Sequence, residues 1–331
     1  MDRPRIADSI TELVAGASTR TPVTTVDGKS GAQFERLVID GERYFLKVLS
    51  ADQDWIMRCT GNTTNWEFRA WEAGLYLEAP AVVDHTVVAM SLEGDGPAAR
   101  LAILMNDRAD DLVPPGDATL PVEQHDRFVE HLAAFHATFF GWHDTIGLQD
   151  LSRRFVWFAP ATIAGELLVD EVPGPIAAAA AGWPRLPDRS APLFELVSSI
   201  HADPHALAGA MADTPQTFVA GDWKLGNLGS RPDGRTIVLD WAYPGEAPPC
   251  WELAWYLALN CDRLPRSKEQ TIAAYRRALE DHGVDTAPWW DRQLGLCMVG
   301  MMATIGWEKA LGSDVELRWW ERAAGEGSRY L

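Results

Sequence analysis

Two short stretches, residues 220–227 and 237–241, constrain this protein more than any other part of its sequence. They read Ala-Gly-Asp-Trp-Lys-Leu-Gly-Asn and Ile-Val-Leu-Asp-Trp, and the second begins as an apolar, strand-like run. Within 19 residues they supply a carboxylate, a lysine, a carboxamide and a second carboxylate: Asp222, Lys224, Asn227 and Asp240. Phosphoryl transfer uses such a set. One carboxylate orients the attacking hydroxyl, a cation meets the phosphoryl group, and an amide oxygen with a second carboxylate holds magnesium.

This region resembles the aminoglycoside phosphotransferase-like family of small-molecule kinases, which share the protein-kinase fold. The family usually reads His-Gly-Asp, four residues and Asn, and then an apolar strand that ends in Ile-Asp-Trp or Ile-Asp-Phe. The chain departs from this pattern at Ala220, where the family has His. The resemblance spans nearly the whole chain. It implies an α+β, bilobal protein-kinase-like fold, with a small β-rich N-terminal lobe carrying one helix and a larger helical C-terminal lobe.

The order of predicted elements agrees with this expectation. Residues 34–39 and 44–49 are β-prone and are joined by Asp40-Gly41, a strong hairpin signal. A helix is predicted over 65–77, followed by strands over 82–92 and 100–105. From residue 122 the pattern is mainly helical, with predicted helices around Phe128–Phe139 and over 251–259, 268–282 and 290–311. We therefore predict a nucleotide-binding lobe over 1–106 and a catalytic and substrate-binding lobe over 107–331.

The resemblance implies a role for each polar residue of the two stretches. Asp222 is the catalytic base that orients the acceptor hydroxyl. Lys224 stands at the offset where protein kinases have a lysine that offsets charge on the migrating phosphoryl group, although the small-molecule family often has another residue there. Asn227 and Asp240 are the protein ligands of Mg²⁺, which prefers such hard oxygen donors. The residues alone leave other interpretations open: Asp222 and Asn227 are also common turn residues, and Lys224 is equally typical of a solvated surface.

Further positions are expected to bind ATP. Lys47 shares a strand face with apolar residues, and its family match contacts the α- and β-phosphates; Glu67 on the following helix is its expected partner, with Glu72 as the alternative. The small residues of Gly28–Ala32 fit a loop over the phosphates. A P-loop is excluded there, because residue 23 is Val where that motif needs Gly. The remaining nucleotide-binding candidates are the loop residues Ser30 and Gly31 and the interlobe residues Met105 and Asn106.

The acceptor pocket is expected to combine acids with aromatic rings, because a polyhydroxylated or cationic molecule is held by carboxylates and by stacking on ring faces. The four candidates lie at the end of the second stretch, shortly after it, or in a C-terminal helix: Trp241, Glu246, Trp307 and Glu308. A Glu308 that faces solvent or pairs with a nearby Arg is an equally good interpretation.

Composition limits the partners. The net charge of −18 argues against nucleic acid and against an anionic membrane. It favours a cationic acceptor, although a soluble acidic surface accounts for it equally well. The four scattered cysteines and the absence of an apolar leader or of ~18 consecutive apolar residues favour a cytoplasmic protein. We expect a monomer or a homodimer.

Two functions compete. The first is an active ATP-dependent kinase of a hydroxylated small molecule such as an aminoglycoside, amino sugar, sugar or amino alcohol. The second is a catalytically impaired pseudokinase or ligand-binding protein of the same fold, favoured by Ala220. A protein kinase is disfavoured, because residues 243–249 are too short for an activation segment.

Overall fold

The computed structural model of the chain describes residues 3–24 and 30–331. Its strands are β1 Ala17–Pro22, β2 Gln33–Ile39, β3 Glu42–Leu49, β4 Val83–Asp84, β5 Val87–Glu93, β6 Arg100–Asn106, β7 Thr217–Val219, β8 Leu228–Ser230, β9 Thr236–Val238 and β10 Gly245–Ala247. Its helices are α1 Ile10–Leu13, α2 Trp55–Thr60, α3 Trp66–Glu72, α4 Val122–Thr138, α5 Leu151–Arg154, α6 Pro160–Ile163, α7 Gly174–Gly182, α8 Leu186–Arg189, α9 Ala191–Ala202, α10 Pro204–Ala212, α11 Pro249–Leu259, α12 Lys268–Asp281, α13 Trp290–Leu311 and α14 Asp314–Gly327. The chain is therefore α+β, as predicted.

The chain forms two compact units, and the first is discontinuous in sequence. It contains residues up to 118, the short segment 145–148, and residues 220–244. The segment with the catalytic stretches thus packs with N-terminal residues, whereas the predicted division assigned it to the C-terminal lobe. The lobe boundary after residue 106 stays a prediction.

The first unit is built on a five-stranded antiparallel sheet in the order β1-β2-β3-β6-β5. The predicted hairpin between β2 and β3 is confirmed. Asp40 and Gly41 both have left-handed backbone angles, with φ of 52° and 83°, as a tight turn between twisted strands requires. One face of the sheet is closed by apolar side chains that include Leu37, Leu46, Ala89 and Leu104.

A second, three-stranded sheet in this unit carries the catalytic segment. Its order is β4-β9-β8, with β4 parallel to β9 and β8 antiparallel to it. The amide of Thr236 donates to the carbonyl of Val82 at 2.8 Å, and the amide of Val113 donates to the carbonyl of Leu228 at 2.9 Å. These bonds fix residues 228–238 against two segments, around Val82 and Val113, that lie far away in sequence.

The predicted helix over 65–77 is shorter in the structure. It ends at Glu72 because Ala73 forms its C-terminal cap and Gly74 then adopts a left-handed φ of 86°. The short helices α1 and α2 were not predicted. α2 begins at an N-cap, Asp54, whose carboxylate accepts from the amides of Ile56 and Met57.

The second unit contains residues 119–144, 149–219 and 245–331, and it is mainly helical. Its central helix is α13, which contacts α7, α9, α11 and α14. By length and composition alone α13 could also cross a membrane, contrary to the expectation from the sequence. However, 78% of its most apolar window is buried inside the protein, which is typical of a core helix.

Candidate active site

Directly before Asp222, the first catalytic stretch has a glycine that no other residue can replace without strain. Gly221 has φ of +93°, and a Cβ added to it would lie 2.2 Å from the carbonyl oxygen of Tyr243. Tyr243 belongs to the chain that follows Asp240. The missing side chain therefore lets the backbone of the first catalytic stretch pack against Tyr243, two residues after the second stretch.

Asp222 comes next, and its carboxylate is held by Lys224 and Asn227. Its Oδ2 accepts from Lys224 Nζ at 2.6 Å and from Asn227 Nδ2 at 2.8 Å, and the residue is only 3% exposed. Burial opposes the charge of Lys224, but the adjacent Asp222 carboxylate outweighs it and raises the pKa of this lysine. Asp222 is thus fixed in one orientation beside a permanent cation.

Asn227 is oriented by the same contacts. Its Nδ2 also donates to the backbone carbonyl of Asp222 at 3.1 Å. Because the amide nitrogen is engaged with Asp222, Oδ1 is the atom of this side chain that can serve a metal. The carbonyl of Asn227 accepts from the amide of Leu239 at 2.9 Å, which joins this residue to the end of β9.

Asp240 follows β9 with an unusual backbone. Its φ is 52°, a left-handed value that non-glycine residues seldom adopt. Its Oδ1 accepts from Lys47 Nζ at 2.5 Å, and 37% of its side chain is exposed. The opposing effects of burial and of Lys47 leave the pKa of Asp240 lowered, so the group is ionised at neutral pH. Backbone strain of this kind is common at functional sites.

The predicted direct pair between Lys47 and Glu67 is replaced by a different arrangement. Lys47 pairs with Asp240, and the Glu67 Oε2 accepts from Asn62 Nδ2 at 2.9 Å. Glu67 nevertheless acts on Lys47 through space: burial disfavours the lysine charge, but Asp240 and Glu67 together raise its pKa above the usual value. Burial in turn raises the pKa of Glu67 to about 7, against the opposing effect of Lys47.

These side chains line a small cavity of about 30 Å³, which is room for one or two water molecules. Lys47, Glu67 and Asp240 face it, together with the loop and helix residues Ser30, Leu49, Asp54, Ile56, Met57, Thr60, Asn62, Ala242 and Tyr243. The cavity thus brings the predicted lysine and two carboxylates to one place. Asn62, Asp54 and Tyr243 were not predicted. The sequence held a signal for Asp54 and Asn62. Asp54 and Gly61, the residue before Asn62, are typical helix-capping residues that mark the two ends of α2.

The other nucleotide-binding candidates lie in two places. Gly31 packs tightly, because a Cβ there would lie 1.9 Å from the carbonyl oxygen of Gln53. Residues 28 and 29 of the same predicted loop lie outside the described residues. Met105 and Asn106 end β6, and the amide of Asn106 donates to the carbonyl of Thr86 at 2.9 Å.

The four acceptor candidates are placed differently. Trp241 belongs to the first unit, where its ring is 2% exposed and stacks on Tyr76 at 4.2 Å, so it packs in the core. In the second unit, Glu246 accepts from His143 Nδ1 at 2.9 Å and from the amide of Asp144 at 2.8 Å.

The last two candidates lie on α13 in the helical unit. Trp307 is 8% exposed and packs against Phe158, with ring centroids 5.3 Å apart. Glu308 Oε2 lies 3.2 Å from Lys309 Nζ, so its ionic partner is a lysine and not the arginine considered from the sequence.

The donor set suits magnesium better than a metal held by protein alone. Among residues 3–24 and 30–331, no group of three or more His, Cys, Asp or Glu side chains is placed to hold a metal ion. Asn227 Oδ1 and the Asp240 oxygen that Lys47 does not contact are two hard donors in one unit. Mg²⁺ typically takes one or two such protein ligands and completes its shell with phosphate and water.

No protein-family model matches the chain, and no curated protein sequence does. Solved structures do match the chain. The chain is similar to choline kinase LicA from Streptococcus pneumoniae, with 11% identity, 96% of each chain covered and a TM-score of 0.53. It is also similar to amicoumacin kinase hAmiN in complex with AMP-PNP, Ca²⁺ and Ami, with 12% identity, 93% of this chain and 88% of that chain covered, and a TM-score of 0.56.

The fold is that of the small-molecule kinases. This confirms the fold class predicted from the catalytic stretches. At such low identity the likeness establishes the architecture alone.

Proposed function

We propose that the chain is an ATP-dependent phosphotransferase that moves the γ-phosphate to a hydroxyl of a small molecule. The observation that carries the proposal is the polar cluster of the first unit, in which Asp222 is bonded to Lys224 and Asn227 while Asp240 is bonded to Lys47. Asp222 and Lys47 are buried, which is costly for charged groups unless each is paired, and their partners Lys224 and Asp240 are each 37% exposed, so both pairs are open to a charged ligand. A nucleotide with its metal is such a ligand.

Asp222 is proposed as the catalytic base. Its carboxylate is fixed by two donors on the same oxygen, Oδ2, and we propose that this fixed carboxylate accepts from the hydroxyl of the acceptor. Lys224 is 37% exposed along its side chain and stays charged, so it can meet negative charge that develops on the phosphoryl group. Positioning, more than proton removal, is the work required of such a site.

ATP and Mg²⁺ are the proposed cofactors. Bound Mg²⁺ neutralises phosphate charge, and Asn227 and Asp240 would hold it. Lys47, with Glu67 behind it, is proposed to bind the phosphates; Ser30 and Gly31 border them, and the backbone of Met105 and Asn106 meets the base. Structural relatives support nucleotide binding, since LicA was solved with AMP and hAmiN with AMP-PNP.

The acceptor is proposed to be a hydroxylated small molecule, such as an aminoglycoside, amino sugar, sugar or amino alcohol. The net charge of −18 favours a cationic member of that group. Glu246 and Glu308 stay candidates for binding it, whereas the burial of Trp241 and Trp307 supports packing roles. We further propose a cytoplasmic location and no nucleic-acid partner.

The alternative is a pseudokinase of the same fold. Ala220, 1% exposed, cannot supply the hydrogen bonds that a histidine makes to a catalytic loop. The backbone contact between Gly221 and Tyr243 and the bonds around Asp222 brace the loop by other means.

ATP consumption by the purified protein with Mg²⁺ tests the proposal against panels of aminoglycosides, amino sugars, neutral sugars and amino alcohols. We expect one class to stimulate consumption and Asp222→Asn to abolish it. Nucleotide binding without acceptor-dependent consumption would favour the pseudokinase, and absence of nucleotide binding would refute the kinase and favour a ligand-binding protein of the same fold.

A further inference from the structure

The loop between α2 and α3 contains a buried asparagine that the proposed chemistry does not yet use. Asn62 is 1% exposed and follows Gly61, whose φ of 83° ends α2 in a left-handed cap. The amide of Asn62 donates to the carbonyl of Met57 at 2.8 Å, which closes that cap. The backbone of Asn62 is therefore fixed to α2.

Both ends of the Asn62 side chain are bonded to α3. Oδ1 accepts from the amide of Trp66 at 3.0 Å, and Nδ2 donates to Glu67 Oε2 at 2.9 Å. The formal N-cap of α3, Asn65, makes no side-chain cap bond, so Asn62 satisfies the first turn in its place.

Capping alone does not account for an asparagine here. A cap needs one acceptor, which Ser, Thr or Asp provides equally well. The amide differs from these in offering an acceptor to Trp66 and an N–H donor to a carboxylate at the same time. The donor is explained by Glu67, which is 2% exposed and faces the cavity that Lys47 also lines.

We propose that Asn62 is a positioning residue that holds the Glu67 carboxylate, ionised, toward Lys47 for nucleotide binding. The inference rests on the proposed function. A buried carboxylate without a donor would turn away or take up a proton, and Lys47 would then lose one of the carboxylates that stabilise its charge.

The charges around Glu67 support this role. Burial raises the pKa of Glu67, Lys47 lowers it, Asp240 raises it, and the Asn62 bond lowers it. Tyr76 and Tyr243 also face this group, and burial keeps both phenols neutral by raising their pKa values. Without the Asn62 donor, the pKa of Glu67 would rise further, and less of it would be ionised near neutral pH.

Two variants test the inference. Asn62→Asp keeps the acceptor for Trp66 and removes the donor to Glu67. Asn62→Ser keeps a short hydroxyl that can cap the helix and adds no charge. Asn260→Ala is the matched control, because Asn260 is also a buried asparagine and donates to the Tyr256 carbonyl at 2.8 Å in the helical unit. Urea unfolding of each variant establishes that it is folded under the assay conditions.

The measurement is the Kd for AMP-PNP with Mg²⁺, by calorimetry, from about pH 6 to 8.5, a span that brackets the Glu67 titration. We expect both Asn62 variants to bind about tenfold more weakly at pH 7, the order expected for a lost bond to a charged group, and Asn260→Ala to bind like the wild type. The deficit of Asn62→Ser should shrink as the pH rises, since alkaline solution ionises Glu67 without help.

Folded Asn62 variants that bind within twofold of the wild type would overturn the inference, as would a deficit independent of pH in Asn62→Ser. If the wild type itself bound no nucleotide, the proposed function would fail instead. The two failures are therefore distinguishable in one titration series.

Discussion

Replacement of Gly221 by alanine tests whether the first catalytic stretch depends on its backbone contact with Tyr243. Gly234, in the turn between β8 and β9, is a matched control in the same unit. Its φ is +92°, against +93° for Gly221, but a Cβ added to it meets no atom within 4 Å. The two alanine variants therefore share the cost of a left-handed backbone and differ in the clash with Tyr243.

The magnitudes follow from these two contributions. A left-handed backbone costs an L-residue about 1–2 kcal/mol, which is the whole expected loss for Gly234→Ala. At Gly221 the added carbon would overlap a backbone oxygen that no rotamer change can move, and overpacking of this kind costs about 1–3 kcal/mol more. Gly221→Ala should therefore lose about 2–5 kcal/mol in the free energy of unfolding.

Urea unfolding followed by circular dichroism measures both losses, and turnover with an identified acceptor measures the consequence for Asp222. A backbone that shifts to relieve the clash moves Asp222 with it, and a displacement of about 1 Å lowers turnover on the order of 100-fold. Gly234→Ala should turn over normally. Equal losses of stability in the two variants, with equal turnover, would refute the role assigned to the contact.

Three further results are expected. Asp240→Asn should abolish transfer while the protein stays folded, as judged by turnover and circular dichroism, because Asn tolerates the left-handed φ but loses the charge that faces Lys47 and the metal. Calorimetry with AMP-PNP should show that Lys47→Ala weakens nucleotide binding, whereas Asp222→Ala binds normally and does not turn over. Stability should also depend on Glu67. Folding raises the pKa of Glu67 from 4.5 to about 7, so its protonated form stabilises the folded protein. This stabilisation is fully present below pH 4.5 and is lost as the pH rises through 7. Between about pH 5 and 8, the free energy of unfolding of the wild type, measured with urea, should fall by about 1–3 kcal/mol, whereas that of Glu67→Gln should stay constant.

Each of these has a contradicting outcome. Wild-type turnover by Asp240→Asn would exclude the metal role. Equal weakening of nucleotide binding in Lys47→Ala and Asp222→Ala would remove the division of labour between them. Parallel stability curves for the wild type and Glu67→Gln would mean that Glu67 does not titrate in its buried position.

Local features of the site were predictable because they depend on short-range chemistry. The hairpin at Asp40 and Gly41 follows from turn geometry, and the spacing of Asp222 and Asn227 places both on one loop. The contact between Lys47 and Asp240 joins residues 193 positions apart, so no local pattern determines it. Lys47, Glu67 and Asp240 line one cavity, and the bonded partner of the lysine is Asp240, where the resemblance implied Glu67.

The features that were missed are short or depend on packing. α2 has six residues, which is too few for a helical period to stand out. The burial of Trp241 follows from its stack on Tyr76, a contact between separate parts of the chain. Neither the acidic composition nor residue spacing could distinguish such a packed ring from one that is free to bind an acceptor.

The pairing of β4 with β9 has a consequence for synthesis on the ribosome. Val83 and Asp84 pair with β9, which begins at Thr236. They leave the exit tunnel of the ribosome long before Thr236 has been translated. At typical elongation rates of about 5–20 residues per second, the interval is on the order of 10 s. During that time the nascent chain carries a strand edge with no partner, which is a known aggregation hazard. Synonymous codon changes that slow translation between these segments should therefore lower the soluble yield of the protein without any change in its sequence.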